Sequence, residues 1–229
     1  MSSGTGICAV ERGEWQTKGA AVVVARRAEV GESYRMNGTD QIAIVRIELE
    51  GIEPLIWRRV GVRTSMSLEA LHSVIQAAMG WLNSHLWEIE VEAQKYGPRV
   101  PDEPDWNERM QNAATVTLSS LLASGATEFG YLYDMGDGWQ HRVIIEKQKA
   151  SEAGVLYPQF LGGERRCPPE DCGGVPGYYE FLKNITSKQK AKRDHARVWY
   201  GGPYDADDID EKKIVPTLTR IANTGRRSP

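Results

Sequence analysis

The sequence predicts an α+β domain, with a mixed or antiparallel sheet and packed helices forming a single compact unit behind a loosely ordered N-terminal extension. Three observations predict it. Residues 41–49, QIAIVRIEL, set Ala43, Val45, Ile47 and Leu49 on one side and Ile42, Ile44, Arg46 and Glu48 on the other, the period of a strand. Residues 67–80, SLEALHSVIQAAMG, repeat Leu68, Leu71, Ile75 and Met79 between a capping serine and a terminating glycine, the pattern of a helix. Residues 128–147 hold two β-rich runs around an Asp/Gly cluster, the pattern of a hairpin.

Bulk properties set the frame for the elements. A chain of 229 residues suits one principal domain, placed at residues 41–220, with residues 1–40 as the extension and 221–229 as a tail. Hydrophobic content of 41% and charged content of 26% are ordinary globular usage, which argues against a disordered chain. The net charge of −3 gives no global attraction to nucleic acid, so any such binding rests on a local patch. The apolar run AAVVVA at 20–25 is far shorter than the roughly 18 residues of a spanning helix, and a cytoplasmic chain without a membrane partner is expected. Three cysteines, unevenly spaced, do not form a disulfide framework.

Taken in order, the first strand turns at GIEP into LIWRRVGV, which predicts a hairpin, and the helix over 68–79 follows. HLWEIEVE at 85–92 alternates Trp87, Ile89 and Val91 with Glu88, Glu90 and Glu92, a half-buried strand with an acidic outer face. YGPRVPDEPDWNERM reads as a surface loop, and TLSSLLASG as a short helix. In the hairpin, Trp139, His141, Val143 and Ile145 share one face. The stretch through QFLGGERRCPPEDCGGVPG reads as loop, YYEFLKN as helix, and DEKKIVPTLTRIAN as a helix in which Pro216 sits early or which it breaks.

Four groups of residues have types that suit chemistry. Asp134, Asp137 and His141 offer two carboxylates and an imidazole, suited to a divalent metal or an acid/base pair, although Asp and Gly also favour a tight turn without any site. His72 and His85 are the histidines that a fold could bring to that group; each also fits the rim of the core with one polar partner. CPPEDCGG reads first as a rigid Pro/Gly loop with free thiols, and second as a zinc site on Cys167, Cys172 and His195, one ligand short of the usual four. Lys188, Lys190, Lys192, Arg193 and Arg197 form a basic stretch that suits phosphates or a solvated face. Nucleotide-binding glycine motifs and the GxSxG hydrolase elbow are absent.

PLIWRRV at 54–60, LHSVIQAAMGWLNSHLWEI at 71–89, YLYDMGDGWQH at 131–141 and CPPEDCGGVPGYYEFL at 167–182 together resemble the Ri-plasmid open-reading-frame-three-like family, some of whose members carry a transposon resolvase label. The resemblance covers about residues 41–215. It implies a compact α+β domain found in proteins of plasmids, transposable elements and bacterial chromosomes, and it narrows fold more than function. The resolvase label finds no support, since a serine recombinase needs a nucleophilic serine on a folded core, and Ser2 and Ser3 lie in the extension. Two functional readings follow. The first is a mobile-element-associated binding module, without an enzymatic role or cofactor, for nucleic acid or a partner protein. The second is a metal-dependent, hydrolytic enzyme using Asp134, Asp137 and His141.

Overall fold

The computed structural model describes residues 41–224, so the expected extension over 1–40 and the last five residues of the expected tail lie outside the described residues. Eight strands form one sheet in the order β5-β4-β3-β6-β7-β1-β2-β8. β1 (Gln41–Leu49) and β2 (Ile56–Arg63) form the expected hairpin, with β7 (Trp139–Ala150) antiparallel to β1 at the middle of the sheet. β6 (Glu128–Tyr133) pairs with β7 as the expected second hairpin, and β3 (Trp87–Val91) pairs antiparallel with β6. The pairing of β4 (Gln94–Gly97) with β5 (Gln111–Asn112) is the parallel one, so the sheet is mixed.

Register decides which face is core. Ile47 stands opposite Val143, Leu49 opposite His141, and Tyr131 opposite His141 on the other side, so the inward residues of three strands form continuous rows. Ala43, Val45, Ile47 and Leu49 are fully buried, as the alternation predicts. α1 (Leu68–Met79), α4 (Gly174–Ile185) and α6 (Glu211–Thr224) contribute Leu71, Ile75, Tyr178, Phe181, Ile214 and Leu218 to the same core cluster. The opposite face carries ion pairs instead: Arg59 grips Glu146 through two bonds of 2.7 and 2.8 Å, and Arg142 grips Glu128 through two of 2.6 Å. Trp57 lies between Arg46 and Arg59, whose guanidiniums stand 4.1 and 5.4 Å from its ring.

The predicted caps of α1 are present. Ser67 accepts from the Ala70 N–H, and Gly80 adopts a left-handed φ of 88° while its N–H bonds to Gln76. Five expectations are corrected. Strand β4 follows Val91 directly, because backbone pairing with β3 and the ion pairs of Lys95 with Glu88 and Glu90 hold a segment with little apolar period. For the same reason Glu88 is not on an open acidic face: it is buried, with Lys95 Nζ at 2.5 Å. The expected loop at 96–110 contains α2 (Pro104–Arg109), with proline at its tolerated first position. The stretch after 150 contains an edge strand, β8 (Gln159–Glu164), hidden in the sequence because Gly162 and Gly163 interrupt its period. Pro216 sits in the first half of α6 and does not break it, since Ile214, Leu218 and Ala222 anchor the helix at i, i+4 and i+8, and the helix runs on through residues 221–224 of the expected tail.

The remaining helices are α3 (Leu118–Ala123), capped by Thr117 as TLSS suggests, and α5 (Lys190–Tyr200). Among the described residues no helix is long and apolar enough to cross a membrane.

Candidate metal centre

The loop between α1 and β3 is fixed by side chains from three other elements. Three successive N–H groups, of Leu82, Asn83 and Ser84, donate to Glu170 Oε1 at 2.7 Å, Gln76 Oε1 at 3.0 Å and the Tyr133 hydroxyl at 3.0 Å. A loop with its amides satisfied this way is held rigid, and it presents His85 next. The hairpin turn meets it from the other side. Asp134 takes a left-handed φ of 58°, its N–H donates to Leu86, and its Oδ1 accepts from Gly136 and Asp137 at 2.9 and 3.3 Å. That is the Asx-turn chemistry that favours aspartate there, and it leaves Oδ2 free to face His85.

Asp137 has a different task. Its Oδ2 accepts from the Gly173 N–H at 3.1 Å, stitching the turn to the 167–174 loop. The approach is close enough to require glycine: a Cβ on Gly174, whose φ is +67°, would lie 2.5 Å from the Asp137 carbonyl oxygen, and one on Gly177 would collide with the Cys172 carbonyl. Gly174→Ala is therefore expected to cost at least about 2 kcal/mol, combining overpacking with a left-handed backbone. A thermal melt within error of the wild type would contradict this contact.

The stitched loop delivers Asp171 and Glu170. His85 Nε2 stands 3.0 Å from Asp171 Oδ1, 3.6 Å from Asp134 Oδ2 and 3.9 Å from Glu170 Oε2. Nε2 is shut off from solvent, yet no hydrogen bond satisfies it, the Asp171 oxygen lying near but out of line. One ligand atom each from His85, Asp134 and Asp171 lies within 4.8 Å of the others, and among the described residues no other His, Cys, Asp and Glu group meets that condition. Glu170 is oriented from behind by Leu82 N–H and by the Tyr133 hydroxyl at 3.0 Å.

The other expected participants are elsewhere. His141 does not join Asp134 and Asp137: it faces the core, with Nδ1 donating to the carbonyls of Trp139 and Tyr131 at 3.0 and 3.2 Å and its ring edge-on to Trp81. Its side follows from strand parity, since residue 141 shares the inward row with Leu49 and Tyr131. His72 is also enclosed. Its Nε2–H donates to Asn83 Oδ1 at 2.7 Å, its Nδ1 accepts from the Tyr131 hydroxyl at 2.9 Å, and that hydroxyl accepts from Gln76. Every member has a partner, so the network needs no ligand. Burial lowers both histidines, His72 and His141, to a pKa of about 4.

Cys167, Cys172 and His195 do not converge as zinc ligands. Cys167 is buried against Met79 Sδ at 3.7 Å and Arg58 Nη2 at 3.6 Å. Burial, reinforced by the charge of Asp137, pushes the Cys172 thiol up to about 12. Within α5, at about 100° per residue, Arg193, Arg197 and Lys190 lie about 60°, 100° and 120° to one side of the buried Ala196, and Lys192 about 40° to the other. Lys190 pairs with Asp194 at 3.7 Å and Arg193 bonds to Ser187 O, so two of the five charges have partners within the protein.

Of the site residues, Asp134 and His85 were legible in the sequence. Asp171 and Glu170 were not read as ligands, because their separation from Asp134 along the chain is closed only by the Asp137 to Gly173 stitch.

Comparison with known proteins agrees with this arrangement of elements. The chain is 38% identical over 180 residues to the uncharacterized protein y4hQ of Sinorhizobium fredii (strain NBRC 101917 / NGR234), covering 78% of this chain and 91% of that protein. It superimposes on the crystal structure of MM3350, a protein of unknown function from Methanosarcina mazei Go1, with a TM-score of 0.68 and 32% identity over 77% of this chain and 97% of the other. Residues 41–213 match the model of one protein family, and with these two relatives they show that the chain belongs to the plasmid pRiA4b ORF-3-like family.

Proposed function

We propose that His85, Asp134 and Asp171 bind a divalent metal ion, with Glu170 beside them, and that the protein uses this ion for hydrolysis. The observation that carries the reading is the convergence of one imidazole nitrogen and two carboxylate oxygens within 4.8 Å, around a nitrogen that lacks a hydrogen bond. A mixed nitrogen and oxygen set suits Zn²⁺ or Mn²⁺. Three protein ligands leave coordination positions for water, the arrangement of hydrolytic rather than structural metal sites. Reading the protein instead as a nucleic-acid binding module rests on the basic stretch at 188–197 alone, where Lys190 and Arg193 already have partners within the protein, and it comes second.

The test is equilibrium dialysis of full-length, chelator-stripped protein against Zn²⁺ and Mn²⁺, followed by elemental analysis. One ion per chain is expected. His85→Gln, Asp134→Asn and Asp171→Asn are each expected to weaken binding by at least about 10- to 100-fold, the loss that changes in supporting residues around a metal already bring. Asp134→Asn retains Oδ1 for its turn bonds, so its loss of affinity is separable from misfolding. Cys172→Ser is expected to bind normally. Substoichiometric metal in the wild type, or affinity indifferent to all three substitutions, sinks the reading.

A further inference from the structure

Next to the candidate metal centre the protein has a cleft of about 300 Å³ between the end of α1, the 167–170 loop and the helices α5 and α6. That volume is at the lower end of small-ligand sites. Its floor includes Met79, Trp81 and Ile214, all buried. Its rim carries Leu82 and Trp199, which are 77% and 48% exposed, so two large apolar side chains stand in solvent on one opening. Single exposed apolar residues need no explanation, but two on the mouth of an apolar cleft mark a surface suited to being covered.

Charge decides what kind of group covers it. The two cations at the cleft are already matched: Arg166 bonds to Asp208 Oδ2 at 2.6 Å and lies 3.8 Å from Asp210, and Lys213 pairs with Asp210 at 3.1 Å. No surplus positive charge is left for a phosphate or carboxylate, and the apolar walls penalise any unpaired charge. Aromatic surface is what the cleft offers at its rim, through the half-exposed Trp199, above a floor where Trp81 is held against Tyr133.

We infer that this cleft binds an uncharged aromatic group of a small-molecule ligand, held between Leu82 and Trp199 over the Trp81 floor. Glu170 belongs to both places: it lines the cleft, and its Oε2 is 3.9 Å from His85 Nε2. An aromatic group seated here therefore directs the remainder of the ligand past Glu170 toward the cation, a placement that rests on the metal-binding reading above. The ligand class is a small molecule with an uncharged aromatic end and a polar, hydrolysable bond adjoining it.

The test uses 6-fluoroindole as probe, followed by fluorine NMR in titrations of the full-length protein. Saturable binding is expected, weakened at least about tenfold in both Leu82→Asp and Trp199→Ala. Leu82 stands in solvent, whereas Trp199 also packs on Phe181, so far-UV circular dichroism checks that both variants remain folded. Indole-3-acetate, which adds a carboxylate, is expected to bind more weakly than 6-fluoroindole. Absence of saturable binding, wild-type affinity in both variants, or preference for the carboxylate would each overturn the inference. Mn²⁺ dialysis of the same samples separates the two claims. A wild type that takes up no Mn²⁺ while binding fluoroindole removes the metal reading and supports the aromatic cleft; uptake of Mn²⁺ without fluoroindole binding does the reverse.

Discussion

Arg58→Met is expected to lower the unfolding free energy by roughly 3 to 5 kcal/mol, measured by urea denaturation followed through tryptophan fluorescence. Arg58 lies in the strand β2 with no exposed surface, and its donors go to three backbone carbonyls and the Cys167 sulfur rather than to a carboxylate. Nε donates to Ala78 O at 2.9 Å, and Nη1 to Trp57 O and Glu164 O at 2.8 and 2.9 Å. Ala78 is the penultimate residue of α1, so the cation sits where the helix dipole is negative, and this offsets part of the cost of burying it. One side chain thus joins a helix end to two strands. Methionine fills much of the volume but leaves three carbonyls without the guanidinium. Arg58→Lys is expected to recover only part of the loss, because a point ammonium cannot span the directions that the planar fork serves. A loss under about 1 kcal/mol for the methionine variant would show that these carbonyls are satisfied some other way.

Acid is expected to destabilise the fold between about pH 6.5 and about pH 4 through His72 and His141. Burial holds both at about 4 in the folded protein, against an ordinary value of 6.5. Over that window the unfolded chain binds more protons than the folded one, so stability falls as pH falls; above 6.5 both states are neutral and neither histidine contributes. At 1.36 kcal/mol per pKa unit the loss reaches about 3 kcal/mol for each histidine by pH 4. The measurement is a set of denaturation curves at pH 7, 5.5 and 4.5. His72→Gln, which keeps a polar partner for Asn83 or Tyr131, is expected to start less stable and to show a shallower acid slope. A wild-type stability that stays flat from pH 7 to 4.5 would mean that these imidazoles take up protons within the fold.

Legibility of the candidate site in the sequence is highest where chemistry is local. Asp134 and the glycines of GDG form a turn for reasons internal to five residues, and that turn fixes one candidate ligand. It fails for His141, which is seven residues from Asp134 but belongs to a strand whose alternating side chains cannot all face one way. Odd positions from 139 to 143 go inward with the core, so the imidazole that is close in sequence is turned away from Asp134, and His85, far away in sequence, faces it instead.

By itself the sequence determined the family, the α+β class, the central strands, both hairpins and the capped helix α1, because period, turn residues and caps act over a few positions. It also supplied Asp134 and His85 as candidates. Tertiary structure alone decided that β4 and β8 are strands, since their pairing energy comes from backbone partners elsewhere in the chain. It alone turned Asp137 from a candidate ligand into the stitch that carries Asp171 and Glu170 to His85, a contact spanning 36 residues that no local pattern encodes. The physical reason is the same in each case: a hydrogen bond or ligand set closed across the fold depends on where the core fixes two segments, and that position is a property of the packed whole.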